Sequence, residues 1–246
     1  MRPLTILMPM AGLGSRFAKA GFTTPKPLIE VDGQPMFLKA LSSIEAIDAP
    51  KQYHFVIRQE HVDTQLLDEL IRDALPEAKI TVLPEMTRGA AETAYAAVKD
   101  MDQRSGLIVM DCDLWFQSKS YDDMVMSSLS DKSEIAGGLI TFESSDPRYS
   151  YARLNEQNLV IETAEKSVIS SHAISGAYFF ASVETFSHSA EQLLSLPIDH
   201  TMPEYYLSLL YNILIDERAP IQASFIDQYA SFGTPEELAA YAHASQ

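Results

Sequence analysis

From Leu7 to Leu28 the chain reads LMPMAGLGSRFAKAGFTTPKPL. An apolar run, Leu4 to Met8, leads into it, and two glycines, an arginine and a lysine between two prolines follow. Glycine lets a ligand approach the backbone, whose exposed N–H groups bind phosphate oxygens or the edge of a base. Each proline holds its own φ at about −65° and biases the residue before it towards extended geometry, so Lys26 hangs on a stiff backbone. Two phosphate loops are excluded here. No Lys-Ser/Thr pair follows a glycine at Walker A spacing, and the dinucleotide fingerprint needs a third glycine where Phe17 stands. A strand that ends in a glycine turn and aims Arg16 and Lys26 at an anion is what remains.

Outward from that loop, short apolar runs alternate with stretches of helical period. Leu4 to Met8, His54 to Ile57, Ile80 to Leu83 and Leu107 to Met110 read as buried strands. Phe37, Leu41, Ile44 and Ile47 recur at helical spacing, as do Val62, Leu66, Leu70 and Ile71, and a third helix starts after Arg88-Gly89 and carries Ala94, Tyr95, Ala97 and Val98. This rhythm predicts right-handed crossovers and an α/β fold with a largely parallel sheet flanked by helices. After about residue 130 the runs shorten to EIAGGLITF, SYARL, NLVIETA and SGAYFFA, with helical segments near Met202 to Ile215 and Pro235 to His243. No repeat or long linker divides the chain. We therefore expect a single domain over 1–246, with a nucleotide-type first half to about residue 130 and a second half from about 131 closing over it, which the resemblance given below makes the nucleotide-binding and acceptor-binding halves.

With 246 residues, 46% of them apolar, a full core is affordable within the chain. The 18 basic and 34 acidic residues leave a net charge of −16, which repels nucleic acid but allows one electropositive pocket for a small phosphorylated ligand. The lone cysteine, Cys112, permits no intramolecular disulfide and predicts a cytoplasmic setting. Neither a secretory signal nor an apolar run of membrane-spanning length is expected, so no membrane partner is predicted.

The segments AGLGSRF and TPKPLIEVDGQPM resemble the signature of sugar-phosphate nucleotidyltransferases, with Pro9-Met10 where that family more often has Leu-Ala or Ala-Ala. The resemblance continues through RGAAETAYAA, LIVMDCDLWF, TAEK, SGAYFF and SFGTPEEL, from about residue 5 to 240, and lacks the left-handed β-helix of longer relatives. It implies a Rossmann-like fold of glycosyltransferase-A type, and an enzyme that joins a nucleoside triphosphate to a sugar 1-phosphate and releases pyrophosphate. Met10, Ala11, Gly12, Leu13, Gly14 and Ser15, with Gly89, Ala90 and Ala91, would bind the nucleotide. Glu165, Lys166 and Gly176 would bind the acceptor, and Asp113 would ligate Mg²⁺ with Asp111 assisting. The family's second metal-binding aspartate falls on Ser231, with Asp227 as a nearby substitute.

In such a reaction both reactants are anions and the attacking phosphate oxygen is already ionised, so no general base is required. The absence of any Ser/His/Asp arrangement fits this, and the six histidines show no metal-ligand spacing. Arg16, Lys26 and Asp113 form the expected catalytic set. Arg16 would meet the transferring phosphates and the pyrophosphate, Lys26 the α-phosphate and acceptor phosphate, and Lys166 the acceptor phosphate from the other side. Read as a strand, Asp111-Cys112-Asp113 points two hard oxygen donors to one face, which suits Mg²⁺, and Cys112 to the core.

Three other readings stay open. One takes the acceptor as a non-sugar phosphate such as phosphocholine or a polyol phosphate, with an aromatic box drawn from Trp115, Phe116, Tyr149, Tyr151, Tyr178 and Tyr229. Ser231 motivates a nucleotide-binding regulatory protein with little turnover. A glycosyltransferase built on Asp111-x-Asp113 does not explain the Gly-x-Gly-Ser-Arg and Pro-Lys-Pro elements. The expected partners are a nucleoside triphosphate and a phosphorylated small molecule, with room for a homo-oligomer and a part in surface polysaccharide or glycan precursor synthesis.

Overall fold

LTILMP is apolar on both faces, as a strand covered by helices on both sides must be. In the computed structural model it forms β1 (Leu4–Pro9), at the middle of a parallel block. The structure describes residues 1–130, 132–200 and 202–244. After β1 come α1 (Ser15–Lys19), a 3₁₀ turn (Lys26–Leu28), a ribbon of β2 (Glu30–Val31) and β3 (Gln34–Pro35), and α2 (Met36–Leu41). β4 (Lys51–Arg58), α3 (Gln59–Gln65), α4 (Leu67–Ala74), β5 (Lys79–Leu83), α5 (Ala90–Val98) and β6 (Gly106–Met110) complete the block. β7 (Leu114–Gln117) and α6 (Lys119–Ser128) follow, then β8 (Gly137–Glu143), β9 (Tyr151–Leu154), β10 (Val160–Ala164) and β11 (His172–Phe180). The chain continues through α7 (Val183–Ser195), α8 (Leu210–Asp216), β12 (Ile221–Phe225), β13 (Gln228–Ser231) and α9 (Pro235–Ala244).

Nine strands make one sheet along the path β10-β9-β11-β6-β1-β4-β5, with β8 and β12 joined through β11. β6, β1, β4 and β5 run parallel; β11 lies antiparallel on β6 with Ala177 opposite Met110, and so splices the later strands onto the earlier ones. Leu7, Val56, Val109 and Phe180 face one apolar layer under α5, α7 and α8. Met8, Phe55, Ile108 and Phe179 face the other, under α2, α4 and α6. A third cluster, built on Phe17, Ile29, Met36 and Phe232, joins α1 to α9.

Several local expectations change. The strand expected over His54 to Ile57 is eight residues long. The helix read across Val62 to Ile71 breaks at Leu66, which adopts φ 51° and is 53% exposed; Leu67 and Ile71 take the buried places, and Leu70 is exposed too. Only the later part of Met202 to Ile215 is helical, because the backbone before it is engaged elsewhere: Tyr205 donates to Arg88 O and accepts from Ala91 N–H, each at 3.0 Å. Residues 111–113 are not strand. They form the turn from β6 to β7, which leaves the large sheet to pair with β13.

Phe179 is fully buried at the β6–β11 seam. Phe179→Ala is expected to cost ~3–5 kcal/mol in urea unfolding, whereas Leu66→Ala, on the exposed break between α3 and α4, should stay within about 0.5 kcal/mol.

Candidate active site

At the carboxyl end of a parallel block, ligands meet loops rather than strands, and the glycine loop after β1 lies there. Gly14 adopts φ 58°, and a Cβ at this position would sit 3.2 Å from Lys26 Cβ, so the loop and the Pro-Lys-Pro turn are in close contact. Among the described residues, no protein acceptor takes the backbone N–H groups from Ala11 to Arg16. Three adjoining cavities surround this loop. One of about 270 Å³ lies between Arg16 and Glu165, a second of about 470 Å³ behind Gly12, Leu13, Gly14 and Lys26, and a third of about 750 Å³ between Ala11 and Gly89. Asp111 and Asp113 wall both the first and the second, while Pro9 and Gly12 wall both the second and the third.

The β6–β11 pairing fixes the first carboxylate, since Asp111 N–H donates to Gly176 O at 2.9 Å. Gly176 has φ 74°, and a Cβ there would come within 2.5 Å of Asp111 Oδ2, so only glycine fits. Asp113 forms an ion pair with Lys26. Burial raises the Asp111 carboxyl to about 7, aided by the Asp113 charge and opposed by Lys26. Lys26 is desolvated as well, but Asp113, Cys112 and Asp111 together hold its ammonium firmly protonated. Cys112 does lie in the core, through the turn rather than by strand alternation; burial pushes its thiol up to about 12, which makes it unreactive.

The first cavity collects more than the sequence predicts. Glu165 accepts from the Ser150 hydroxyl and, at 2.9 Å, from that of Ser208, so its carboxylate is held in place. Gly176 also lines this cavity. Lys166 does not. It adopts φ 51°, and its ammonium donates to Tyr206 OH at 3.0 Å while lying 4.8 Å from that ring's centre. Tyr149, Tyr178, Tyr206 and Tyr229 line the cavity, whereas Phe116 and Tyr151 are wholly buried in the core and Trp115 packs under Lys39. Ser231 sits on the cavity wall with its hydroxyl donating to Glu237 Oε2 at 2.8 Å. Glu237, on α9, thus supplies a carboxylate at that place. Asp227 does not, because its side chain accepts from Lys119 N–H at the start of α6.

Around the third cavity the Gly89 backbone is pressed against Tyr205: φ is 146°, and a Cβ would lie 2.6 Å from both Tyr205 N and O. Ala90 faces the first and third cavities. Ala91 meets neither. It is fully buried and gives its N–H to Tyr205 O, so it packs the helix start instead of offering a donor to a base. Met10 lines the second cavity, and Ser15, the first residue of α1, is exposed outside the walls. Arg58, Arg148 and Glu237 are wall residues that sequence reasoning missed. The position of Arg58 at the carboxyl end of a parallel strand was a usable signal; Arg148 and Glu237 had none apart from tertiary contact.

The elevated Asp111 pKa sets a sign for stability. A carboxyl near 7 in the folded chain and near 4 unfolded binds more protons when folded, so it lowers stability as pH rises from about 4 to 7. Asp111→Asn, melted in chelator, should therefore exceed the wild type in Tm at pH 8, with the gain shrinking as the pH falls towards 4.

No sequence-family model and no curated protein matches the chain. Solved structures do. A nucleoside-diphosphate-sugar pyrophosphorylase from Vibrio cholerae RC9 is 27% identical with a TM-score of 0.83, covering 97% of this chain and 99% of its own. The inositol-1-phosphate CTP transferase of T. maritima is 14% identical with a TM-score of 0.75, covering 100% and 96%, and shares the fold. So does a UDP-glucose pyrophosphorylase complexed with UDP-glucose, at 16% identity, a TM-score of 0.75, and coverage of 99% and 98%. The glycine loop, the Pro-Lys-Pro turn and the paired aspartates are assembled on a sheet of the same architecture, so the chain is similar over nearly its whole length to nucleotidyltransferases (NTP transferases) of the short form.

Proposed function

We propose that this protein transfers a nucleoside monophosphate from a nucleoside triphosphate to a sugar 1-phosphate, with release of pyrophosphate, to make an activated glycan precursor. The observation that carries the reading is the shared wall of Asp111 and Asp113, which joins the cavity behind the glycine loop to the cavity that holds Glu165. Two ligands in those cavities would meet at that wall.

In the proposed reaction an acceptor phosphate oxygen attacks the α-phosphorus in line; the new P–O bond forms as the bond to the β-phosphate bridging oxygen breaks, and pyrophosphate leaves with that electron pair. Repulsion between the anions is the main barrier the protein must lower, so positioning and fixed charge supply the rate. Arg16 meets the transferring phosphates, Lys26 the α-phosphate, and the backbone of Gly12, Leu13 and Gly14 the nucleotide. Gly89 and Ala90 border the larger cavity, where a base has room. The donor set fits Mg²⁺, because Asp111 and Asp113 offer hard oxygens on the wall the two cavities share. Asp113, with Asp111 beside it, would hold Mg²⁺, which supplies neutralisation of phosphate charge when bound.

Glu165 and Asp111 are acceptor-only groups when ionised, so they favour a ligand rich in hydroxyl donors, a sugar or polyol phosphate. The four tyrosines of the wall favour a second reading, an acceptor with a quaternary ammonium. The carboxylate of Glu237 beside Ser231 weighs against a protein without turnover.

A pyrophosphate-release screen with Mg²⁺ tests the reading: ATP, CTP, GTP, UTP and dTTP against sugar 1-phosphates, inositol 1-phosphate and phosphocholine. Release with none of the pairs would sink it. With the active pair, Arg16→Ala and Lys26→Ala should each lower kcat by about 10²–10³, Arg16→Ala with unchanged urea unfolding, and Asp113→Asn should do more harm than Asp111→Asn in a metal titration.

A further inference from the structure

We infer that Arg148 is the residue that holds the acceptor's phosphate, an assignment that rests on the nucleotidyl-transfer reading. A phosphomonoester carries close to two negative charges at neutral pH and needs a cation facing the cavity that receives it. Among the described residues, Arg16 and Arg148 are the only basic side chains lining the first cavity. Arg16 comes from the nucleotide loop. Lys26 is paired with Asp113 and opens on the second cavity, and Lys166, on the hydroxyl of Tyr206, stands outside the lining of the first.

Arg148 lies on the turn between β8 and β9 and is mounted on an aromatic wall. Its guanidinium sits 4.6 Å from the centre of the Tyr149 ring; that ring meets Phe142 edge-on at 5.0 Å, and Phe142 stacks on Tyr229 at 4.6 Å. A planar fork fixed in this way presents parallel N–H donors to a phosphate, which a lysine does not do. In the ligand-free protein the fork is occupied: Glu237 Oε1 lies 2.7 Å from Nη2 and Asp146 Oδ2 3.1 Å from Nε, and Nη2 also donates to the Tyr149 hydroxyl. The Arg148 side chain is 48% exposed, and ion pairs this open to solvent hold weakly, so a dianion can displace them.

The place those carboxylates mark adjoins the reaction centre. A Cβ built on Gly233 would lie 3.2 Å from Glu237 Oε2 and equally 3.2 Å from Asp113 Oδ2, the atom that meets Lys26. A phosphate that replaces Glu237 on Arg148 therefore arrives beside Asp113 and Lys26, within the shared wall where the α-phosphate is expected.

Two measurements on the full chain test this: calorimetric titration with glucose 1-phosphate, inositol 1-phosphate and phosphocholine, and steady-state kinetics with the active pair from the screen. Arg148→Ala should weaken binding of whichever phosphomonoester binds, and raise its KM, at least tenfold, with the triphosphate KM within twofold; Arg148→Lys should recover only part. Unchanged acceptor affinity in Arg148→Ala, a tenfold loss in Lys166→Ala alone, or no phosphomonoester binding to the wild type would each overturn the assignment. Wild-type turnover reports separately on the function: transfer with an unchanged acceptor KM in Arg148→Ala removes the inference and leaves the function standing, while phosphomonoester binding that needs Arg148 without any pyrophosphate release does the reverse.

Discussion

Two carboxylates one residue apart, set where burial raises one of them to about 7, repel each other unless a cation is fixed against them. The Lys26–Asp113 ion pair meets that demand, and much of the local architecture follows from it. Pro25 and Pro27 hold the lysine's backbone, Gly14 lets the turn pack against the glycine loop, and the antiparallel seat of β11 on β6 leaves Gly176 under Asp111, where no side chain fits. Each of these features comes from a different part of the chain. They are compatible only because β1 and β6 are neighbours in one parallel block whose loops share an edge.

A chain with a net charge of −16 that handles phosphates must spend its few bases with care. Among the described residues five line the three cavities: Arg16 on α1, Lys26 on the Pro-Lys-Pro turn, Arg58 at the end of β4, Arg88 just before α5 and Arg148 on the β8–β9 turn. Four of the five are held by a carboxylate, Lys26 by Asp113, Arg58 by Glu60, Arg88 by Glu92 and Arg148 by Glu237. Such pairing keeps cations oriented without a ligand and makes anion binding an exchange of one anionic partner for another, which costs less reorganisation than ordering a free side chain.

What was legible in the sequence was whatever is dictated locally. The strands around Leu4, Ile80 and Leu107 announce themselves by apolar runs of strand length, and Lys26 by its two prolines. Leu66 was misread because period alone does not reveal a left-handed residue that ends one helix and begins another; Leu67, one step on, takes the core position. Ala91 and Lys166 follow the resemblance in sequence but not in surroundings: the backbone of Tyr205 occupies the N–H of one, and Tyr206 holds the ammonium of the other. Glu237 was invisible for a different reason. It lies inside SFGTPEEL, but as one of two adjacent glutamates in the first turn of a helix, and which of them faces the cavity appears only when α9 is placed against Ser231.

That placement makes α9 part of the site. Ser231 on β13 carries no charge, but Glu237 reaches back from the next helix to accept from its hydroxyl, which requires that helix to be held rigidly. Two features hold it. Phe232 N–H donates to Asp113 O at 2.7 Å, tying the end of β13 to the carboxylate turn itself. Phe232 and its neighbour ring Tyr241 then anchor α9 to Phe17 and Met36, on the far side of the glycine loop. The helix is thereby fixed to both the nucleotide loop and the metal-type carboxylates, and through Glu237 to Arg148. On the proposed reading, an exchange of partners at Arg148 would free the Glu237 carboxylate beside Ser231 and Asp113, so binding at one wall of the cavity changes the charge exposed at the other.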